Sequence, residues 1–255
     1  MKICRFRKSG QVLHGLVAND VVQVLRGSIF EPFALTETIY PLKEVELLAP
    51  CEPGKIVAIG RNYRDHAAEF GHDVPAEPLL FLKPSTAVIG PGQAVVLPAI
   101  SQRVDFEGEL GVVIKRTARR LGPQENPLDY VLGYTAALDI TARDLQKKDG
   151  QFTRAKGFDT FAPMGPWIET ALNPADAALE TRVNGEVRQS ASTRQLIFPV
   201  DFLIRFIAEV MTLRPGDVIF TGTPAGVGPL HPGDHVEVRV RELGALAVPV
   251  VAQAG

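Results

Sequence analysis

Glu107 and Glu109 stand two residues apart in an apolar run, Val104-Asp105-Phe106-Glu107-Gly108-Glu109-Leu110-Gly111-Val112-Val113-Ile114. Such a run predicts a β-strand, in which side chains at i and i+2 point to one face about 7 Å apart. Asp105, Glu107 and Glu109 are then expected to project together. Carboxylates held that close repel until one takes up a proton or the group acquires a cation. A further acid, Asp139, closes the apolar segment Tyr134-Thr135-Ala136-Ala137-Leu138, where a change from strand to helix is expected. An all-oxygen set of Glu107, Glu109 and Asp139 selects Mg²⁺, Mn²⁺ or Ca²⁺ over Zn²⁺. The competing reading of the Glu-Gly-Glu pattern is a solvent-facing strand edge with acids at alternate positions. Gly108 shifts the balance toward a site, because glycine within a strand often marks close approach by a ligand or another backbone.

His66 and Glu69 are three apart in Arg61-Asn62-Tyr63-Arg64-Asp65-His66-Ala67-Ala68-Glu69-Phe70, expected to be helical with Asn62 as N-cap and Gly71 as terminator. On a helix they share a face, so the carboxylate can orient the imidazole and ready it to take a proton from water. The simpler alternative is a surface ion pair. Lys156, amid apolar and small residues, offers a cation to developing negative charge or an anionic substrate; the alternative is an exposed loop lysine. Thr223, in a Gly/Pro-rich turn, offers a hydroxyl and nearby amides to an anion. Cys4, Cys51, His14, His72, His231 and His235 have no convincing partners and read as structural or solvated.

The elements that must position these groups belong to a chain of 255 residues, 45% hydrophobic and 22% charged, which is ample for a large core. A net charge of -2 with scattered Lys and Arg gives no electrostatic case for nucleic acid. The two cysteines form no Cys-x-x-Cys pair, which argues against a zinc ribbon or disulfide scaffold and suits a reducing cytosol. Lys2, Arg5, Arg7 and Lys8 precede no apolar signal core, and no apolar stretch approaches the ~18 residues of a membrane span. A soluble, cytoplasmic protein without nucleic-acid or membrane partners is expected.

Residues 1–48 read as a small N-terminal β domain, with strands at 12–17 and 21–25 around a turn, and 49–255 as the main unit. Further strands are expected at 55–60, 79–82, 94–97, 109–115 and 131–138, and helices at 141–148 and 201–211. Pro-Gly-Asp turns at 215–217 and 232–234 each precede a strand. Because regular helices do not separate the strands, a predominantly β, α+β fold is expected over a doubly wound sheet. There is no Walker A sequence, and the glycines of 222–228 lack dinucleotide-loop spacing.

Taken in order, these segments resemble the fumarylacetoacetate hydrolase family of metal-dependent enzymes. The matching stretches are Gly60-Arg61-Asn62-Tyr63-Arg64-Asp65-His66-Ala67-Ala68-Glu69, Asp105-Phe106-Glu107-Gly108-Glu109-Leu110, Leu138-Asp139-Ile140-Thr141-Ala142-Arg143-Asp144-Leu145-Gln146, Lys156-Gly157-Phe158-Asp159-Thr160 and Thr221-Gly222-Thr223-Pro224-Ala225-Gly226-Val227-Gly228. The resemblance implies a mixed β-roll of layered sheets, usually dimeric, holding Mg²⁺ or Mn²⁺ (Ca²⁺ being a further option) through Glu107, Glu109 and Asp139. It implies a His66–Glu69 dyad on a lid, with Lys156 holding the charged reacting group. Gln146 and Thr223 are implied to contact substrate, Thr160 to sit beside the metal, and Arg61 and Arg143 to serve substrate binding or site architecture. The expected reaction is hydrolytic C–C cleavage of an acylpyruvate-type 2-oxo acid by water that the dyad activates. Isomerisation of hydroxydienoate intermediates and decarboxylation of oxaloacetate are the enzymatic alternatives. A metal-retaining, metabolite-binding dimer is the non-enzymatic one.

Overall fold

The central strands read as near-continuous apolar runs because both of their faces are covered. In the strand Gly108–Ile114, Leu110, Val112 and Ile114 enter one buried cluster, while Val113 enters another. The first cluster lies between this strand's sheet and a second sheet, which contributes Leu179, Val236, Val238, Leu246 and Val248. The second cluster lies on the opposite face, where Ile29, Ala49, Cys51 and Ala87 close over Ile56, Ala58, Met164 and Phe220. The computed structural model describes residues 1–69, 71 and 73–254. It is an α+β fold, mainly β, of layered mixed sheets.

The large sheet runs in the order Ala34–Pro41, Val21–Arg26, Gln11–Ala18, Lys2–Lys8, Ala162–Glu169, Val131–Leu138, Gly108–Ile114, Val218–Phe220, Ile56–Gly60, Leu79–Lys83. Its pairings are antiparallel along this path except that Val218–Phe220 runs parallel to Ile56–Gly60. The N-terminal meander is hydrogen-bonded into the same sheet, Lys2 lying opposite Glu169 and Ile3 opposite Ile168. A five-stranded sheet packs against it, in the order Glu186–Ser192, Ala178–Val183, His235–Val240, Gly244–Ala252, Val95–Leu97. A small third sheet joins Thr141–Ala142, Val104–Phe106 and Gly228–Pro229.

Three local expectations are corrected. The run 104–114 is not one strand: Val104–Phe106 belongs to the small sheet and Gly108–Ile114 to the large one, so the chain changes sheets at Glu107. The helix bearing His66 spans Arg64–Glu69, so Asn62 is not its N-cap. Asn62 is instead fully buried, its amide donating to the carbonyls of Phe198 and Thr221 and its oxygen accepting from the Phe198 amide. Gly71, with φ +67°, donates its amide to the Ala68 carbonyl. Phe70 and His72 lie outside the described residues. The helix expected from 141 begins at Arg143 and runs to Asp149, because Thr141 and Ala142 pair with Asp105 and Val104.

The longest helix, Val200–Val210, buries Val200, Leu203, Ile204, Ile207 and Ala208, the i, i+3, i+4, i+7, i+8 stripe of an amphipathic helix. Among the described residues no helix is long and apolar enough to cross a membrane.

Candidate functional site

Strand register brings the acids together. Gly108 pairs with Leu138 and Glu109 with Ala137 in antiparallel alignment. The next residues outward, Glu107 and Asp139, therefore face each other, and the Asp139 amide donates to the Glu107 carbonyl at 2.8 Å. One carboxylate oxygen from each of Glu107, Glu109 and Asp139 lies within 4.8 Å of the others. Opposed oxygens around a hard divalent ion are about 4–5 Å apart, twice the usual metal–oxygen distance, so the donor set fits such an ion. All three side chains are buried, which excludes the solvated-edge reading. Asp105 does not join them: it ion-pairs with Arg103 and Arg143 at 2.9 Å each.

Buried cations surround the acids unevenly. Lys156 Nζ donates to Glu107 at 2.8 Å and to Asp139 at 2.5 Å. Arg143 donates to Glu107 at 2.5 Å, to Asp105 at 2.9 Å and to the Gln146 side chain at 2.8 Å. Burial opposes ionisation of Glu107, but Lys156 and then Arg143 outweigh it and hold this carboxyl far below the usual range. Glu109 has the Gly222 amide as its hydrogen-bond donor, at 2.6 Å. Burial, then the charges of Asp139 and Glu107, push its carboxyl well above the usual range. An acid in that position gains from a divalent cation shared with its neighbours. For Lys156, burial favours the neutral amine, yet Asp139 and Glu107 together raise its pKa and keep it charged.

The imidazole of His66 is buried, its Nδ1 lying 3.2 Å from Glu69 Oε2 one helical turn on. The other oxygen of Glu69 accepts from the Gly226 amide at 3.1 Å, which ties this short helix to the glycine-rich turn. With Nδ1–H directed at Glu69, Nε2 carries the lone pair. Burial pushes His66 below its ordinary value, against the raising effect of Glu107 and Glu69, so the ring is neutral at pH 7.

His66, Glu107 and Lys156 open on one cavity of about 610 Å³. Arg61, Arg143, Gln146 and Thr223 also line it, as do the rings of Phe81 and Phe152, which meet edge-on at 5.3 Å. Arg61 stands at φ +57°, turning the chain sharply where the strand Ile56–Gly60 ends. The Thr223 hydroxyl donates to the Gly108 carbonyl at 2.9 Å and accepts from Gln189 at 2.7 Å, so its proton is already committed inside the protein. Thr160 is not among the described residues lining the cavity, and its hydroxyl instead accepts from the Val96 amide at 2.9 Å. Gly108 meets a close neighbour, as expected of strand glycine, but that neighbour is protein: a Cβ there would fall 1.9 Å from Thr181 Oγ1.

Sequence reasoning missed Lys83. This side chain is fully enclosed, donating to Asp139 and to the Lys156 carbonyl at 2.6 Å each and to the Ile140 carbonyl at 3.3 Å. The signal was a lysine ending the apolar strand Leu79–Lys83, directly before Pro84, a position that ordinarily reads as a solvated strand end.

The chain is similar to known proteins along most of its length. Residues 55–251 match the family described as fumarylacetoacetate (FAA) hydrolase C-terminal, and residues 1–50 match one described as Rv2993c-like, N-terminal. An uncharacterized protein of Archaeoglobus fulgidus is 57% identical over 206 residues, 81% of this chain and 82% of its own. Oxaloacetate tautomerase YisK of Bacillus subtilis is 43% identical over 224 residues, 82% of this chain and 74% of its own. The crystal structure of a 2-hydroxyhepta-2,4-diene-1,7-dioate isomerase from Mycobacterium marinum superposes with a TM-score of 0.92 at 41% identity, covering 100% of both chains.

Proposed function

The chain belongs to the fumarylacetoacetate hydrolase family, and on that premise we propose that it is a Mg²⁺- or Mn²⁺-dependent enzyme moving a proton beside the keto group of a 2-oxo dicarboxylate. Keto–enol tautomerisation of oxaloacetate and isomerisation of a longer dienoic diacid both belong to this class. The observation that carries the reading is a carboxylate-backed imidazole, His66, opening on the same cavity as Glu107 of the acidic cradle. Glu107, Glu109 and Asp139 would hold the cation, whose Lewis acidity makes the C–H next to a 2-oxo group easier to ionise. His66 Nε2 takes that proton, and Glu69 steadies the imidazolium through Nδ1–H; the reverse transfer returns a proton to carbon. A base so placed typically contributes about 10²–10⁴ in rate.

The charge of the cavity supports a doubly anionic substrate. Arg61 and Lys147 line it, and neither side chain makes an ion pair or hydrogen bond among the described residues. Guanidinium and ammonium groups without a protein partner suit a second carboxylate.

Hydrolytic C–C cleavage, the first expectation from sequence, becomes the second reading. What favours it is the same dyad, which can as readily deprotonate a water. Under either reading the protein is proposed to act as a cytosolic homodimer.

The deciding experiment incubates the protein in D₂O with Mn²⁺ or Mg²⁺ and follows oxaloacetate by its enol absorbance and by deuterium entry at C3. Wild type should accelerate both and His66→Ala neither. Pyruvate release from acetylpyruvate without any exchange on oxaloacetate would install the hydrolase reading. Absence of metal-dependent turnover on any 2-oxo acid of a panel would leave a binding protein.

A further inference from the structure

Gln189 lies outside the cavity's lining, on the strand Glu186–Ser192 of the second sheet, yet it holds the metal cradle from behind. It is 1% exposed, and its amide makes three hydrogen bonds. Oε1 accepts from the amide of Gly108, the residue between Glu107 and Glu109, at 2.9 Å. Nε2 donates to Thr223 Oγ1 at 2.7 Å and to the Pro224 carbonyl at 2.8 Å. The Thr223 hydroxyl passes the connection on to the Gly108 carbonyl at 2.9 Å. The Gly108 residue is thus gripped at both its N–H and its C=O by one glutamine, directly and through one hydroxyl.

The turn that Gln189 anchors reaches both halves of the site. Its Gly222 amide binds Glu109 at 2.6 Å, and its Gly226 amide binds Glu69, the partner of His66, at 3.1 Å. It also sits flush on the strand below, since a Cβ at Gly226 would lie 2.0 Å from the Arg188 carbonyl oxygen. A shift of Gly222 or Gly226 would disturb the hydrogen bond to Glu109 or to Glu69.

We propose that Gln189 is a positioning residue that sets the spacing of Glu107 and Glu109 for the divalent ion and locks the 222–226 turn across the cradle and the dyad. This rests on the reading that the three acids hold a metal. Partners that orient metal ligands typically contribute about 10- to 100-fold in affinity, and neither Gln189 nor the relay hydroxyl needs to touch the ion for that.

The test measures Mn²⁺ affinity directly, by electron paramagnetic resonance of the free ion, in the metal-stripped full-length protein. Variants are Gln189→Met, Thr223→Val, their double mutant, Thr223→Ser, and Leu203→Ala as a destabilised control remote from the cradle. The expected result is a 10- to 100-fold loss for Gln189→Met and for Thr223→Val. Thr223→Ser, which keeps the relay hydroxyl, should retain wild-type affinity. The double mutant should lose no more than the worse single mutant, because both break one clamp. Leu203→Ala should lower the melting temperature without weakening Mn²⁺ binding. Additive losses, or losses matched by Leu203→Ala, overturn the proposal in favour of general destabilisation. If Gln189→Met does not fold, Thr223→Val against Thr223→Ser decides alone, and equal affinities overturn it. Failure of wild type to bind Mn²⁺ would instead remove the metal reading itself, and this inference with it.

Discussion

The ammonium of Lys83 donates to the main-chain carbonyl of Lys156 at 2.6 Å, while both lysines hold different oxygens of Asp139. One buried cation therefore fixes the backbone of another. Burial pulls Lys83 below the ordinary lysine value, with Lys156 adding to the fall and Asp139 opposing it. Lys83→Met should leave an Asp139 oxygen and two carbonyls without a donor in a closed interior. Breaking a buried pair in this way costs about 3–5 kcal/mol, readable as a shift in the urea unfolding midpoint. A loss below about 1 kcal/mol would mean that Lys83 is not paired as described.

The pH dependence of proton transfer should carry the signature of His66. Its folded pKa is depressed, so the unfolded chain, at about 6.5, binds a proton first as pH falls. The associated stability is fully present above that value and is lost as pH drops through the window down to the folded pKa. The acid limb of kcat/KM accordingly falls below about 6.5. Glu69 raises the His66 pKa, so Glu69→Gln should move that limb to still lower pH while reducing kcat. A limb that stays put, or moves up, would show that another group controls it.

Gly108→Ala should be destabilising for reasons unconnected with a ligand. The added methyl would meet Thr181 Oγ1 at 1.9 Å and Gln189 Oε1 at 3.1 Å. Overpacking of this kind typically costs about 1–3 kcal/mol. Thr181 is buried and its hydroxyl has no hydrogen-bond partner among the described residues, so trimming it removes the clash without orphaning a donor among them. The double variant Gly108→Ala/Thr181→Ala is expected to recover part of the lost melting temperature, and no recovery would refute the steric account.

Both thiols should be inert in the folded protein. Burial pushes Cys4 and Cys51 up to about 12, leaving almost no thiolate at neutral pH. A chromogenic disulfide reagent should therefore titrate neither until denaturant is added, when both react. Fast native reaction at either one would mean that its pocket opens.

What the sequence allowed to be read, and what it hid, divides along physical lines. Strands such as Val131–Leu138 and the hairpin Gln11–Ala18/Val21–Arg26 follow from local apolar pattern and turn residues, and these were legible. The acids were legible by type, but not their convergence: that depends on Gly108 aligning with Leu138, and register is a property of two strands at once. The change of sheet at Glu107 was hidden because the apolar run continues through it. Asn62 looked like a helix cap, since a cap is the commonest local use of asparagine, whereas its partners Phe198 and Thr221 are far off in sequence. Lys83 and Gln189 were unreadable for the same reason: a polar side chain becomes structural only through distant groups that surround it.

The pairing of Lys2–Lys8 with Ala162–Glu169 gives the N-terminal meander a task beyond its own packing. Ala162–Glu169 is the direct neighbour of Val131–Leu138, the strand that Asp139 follows. Stripped of residues 1–48, its Ile168 and Glu169 would present unmatched amides and carbonyls to solvent, an invitation to stray β-pairing between molecules. The meander shields that border, moving the free rim of the sheet out to Ala34–Pro41, well away from the acids.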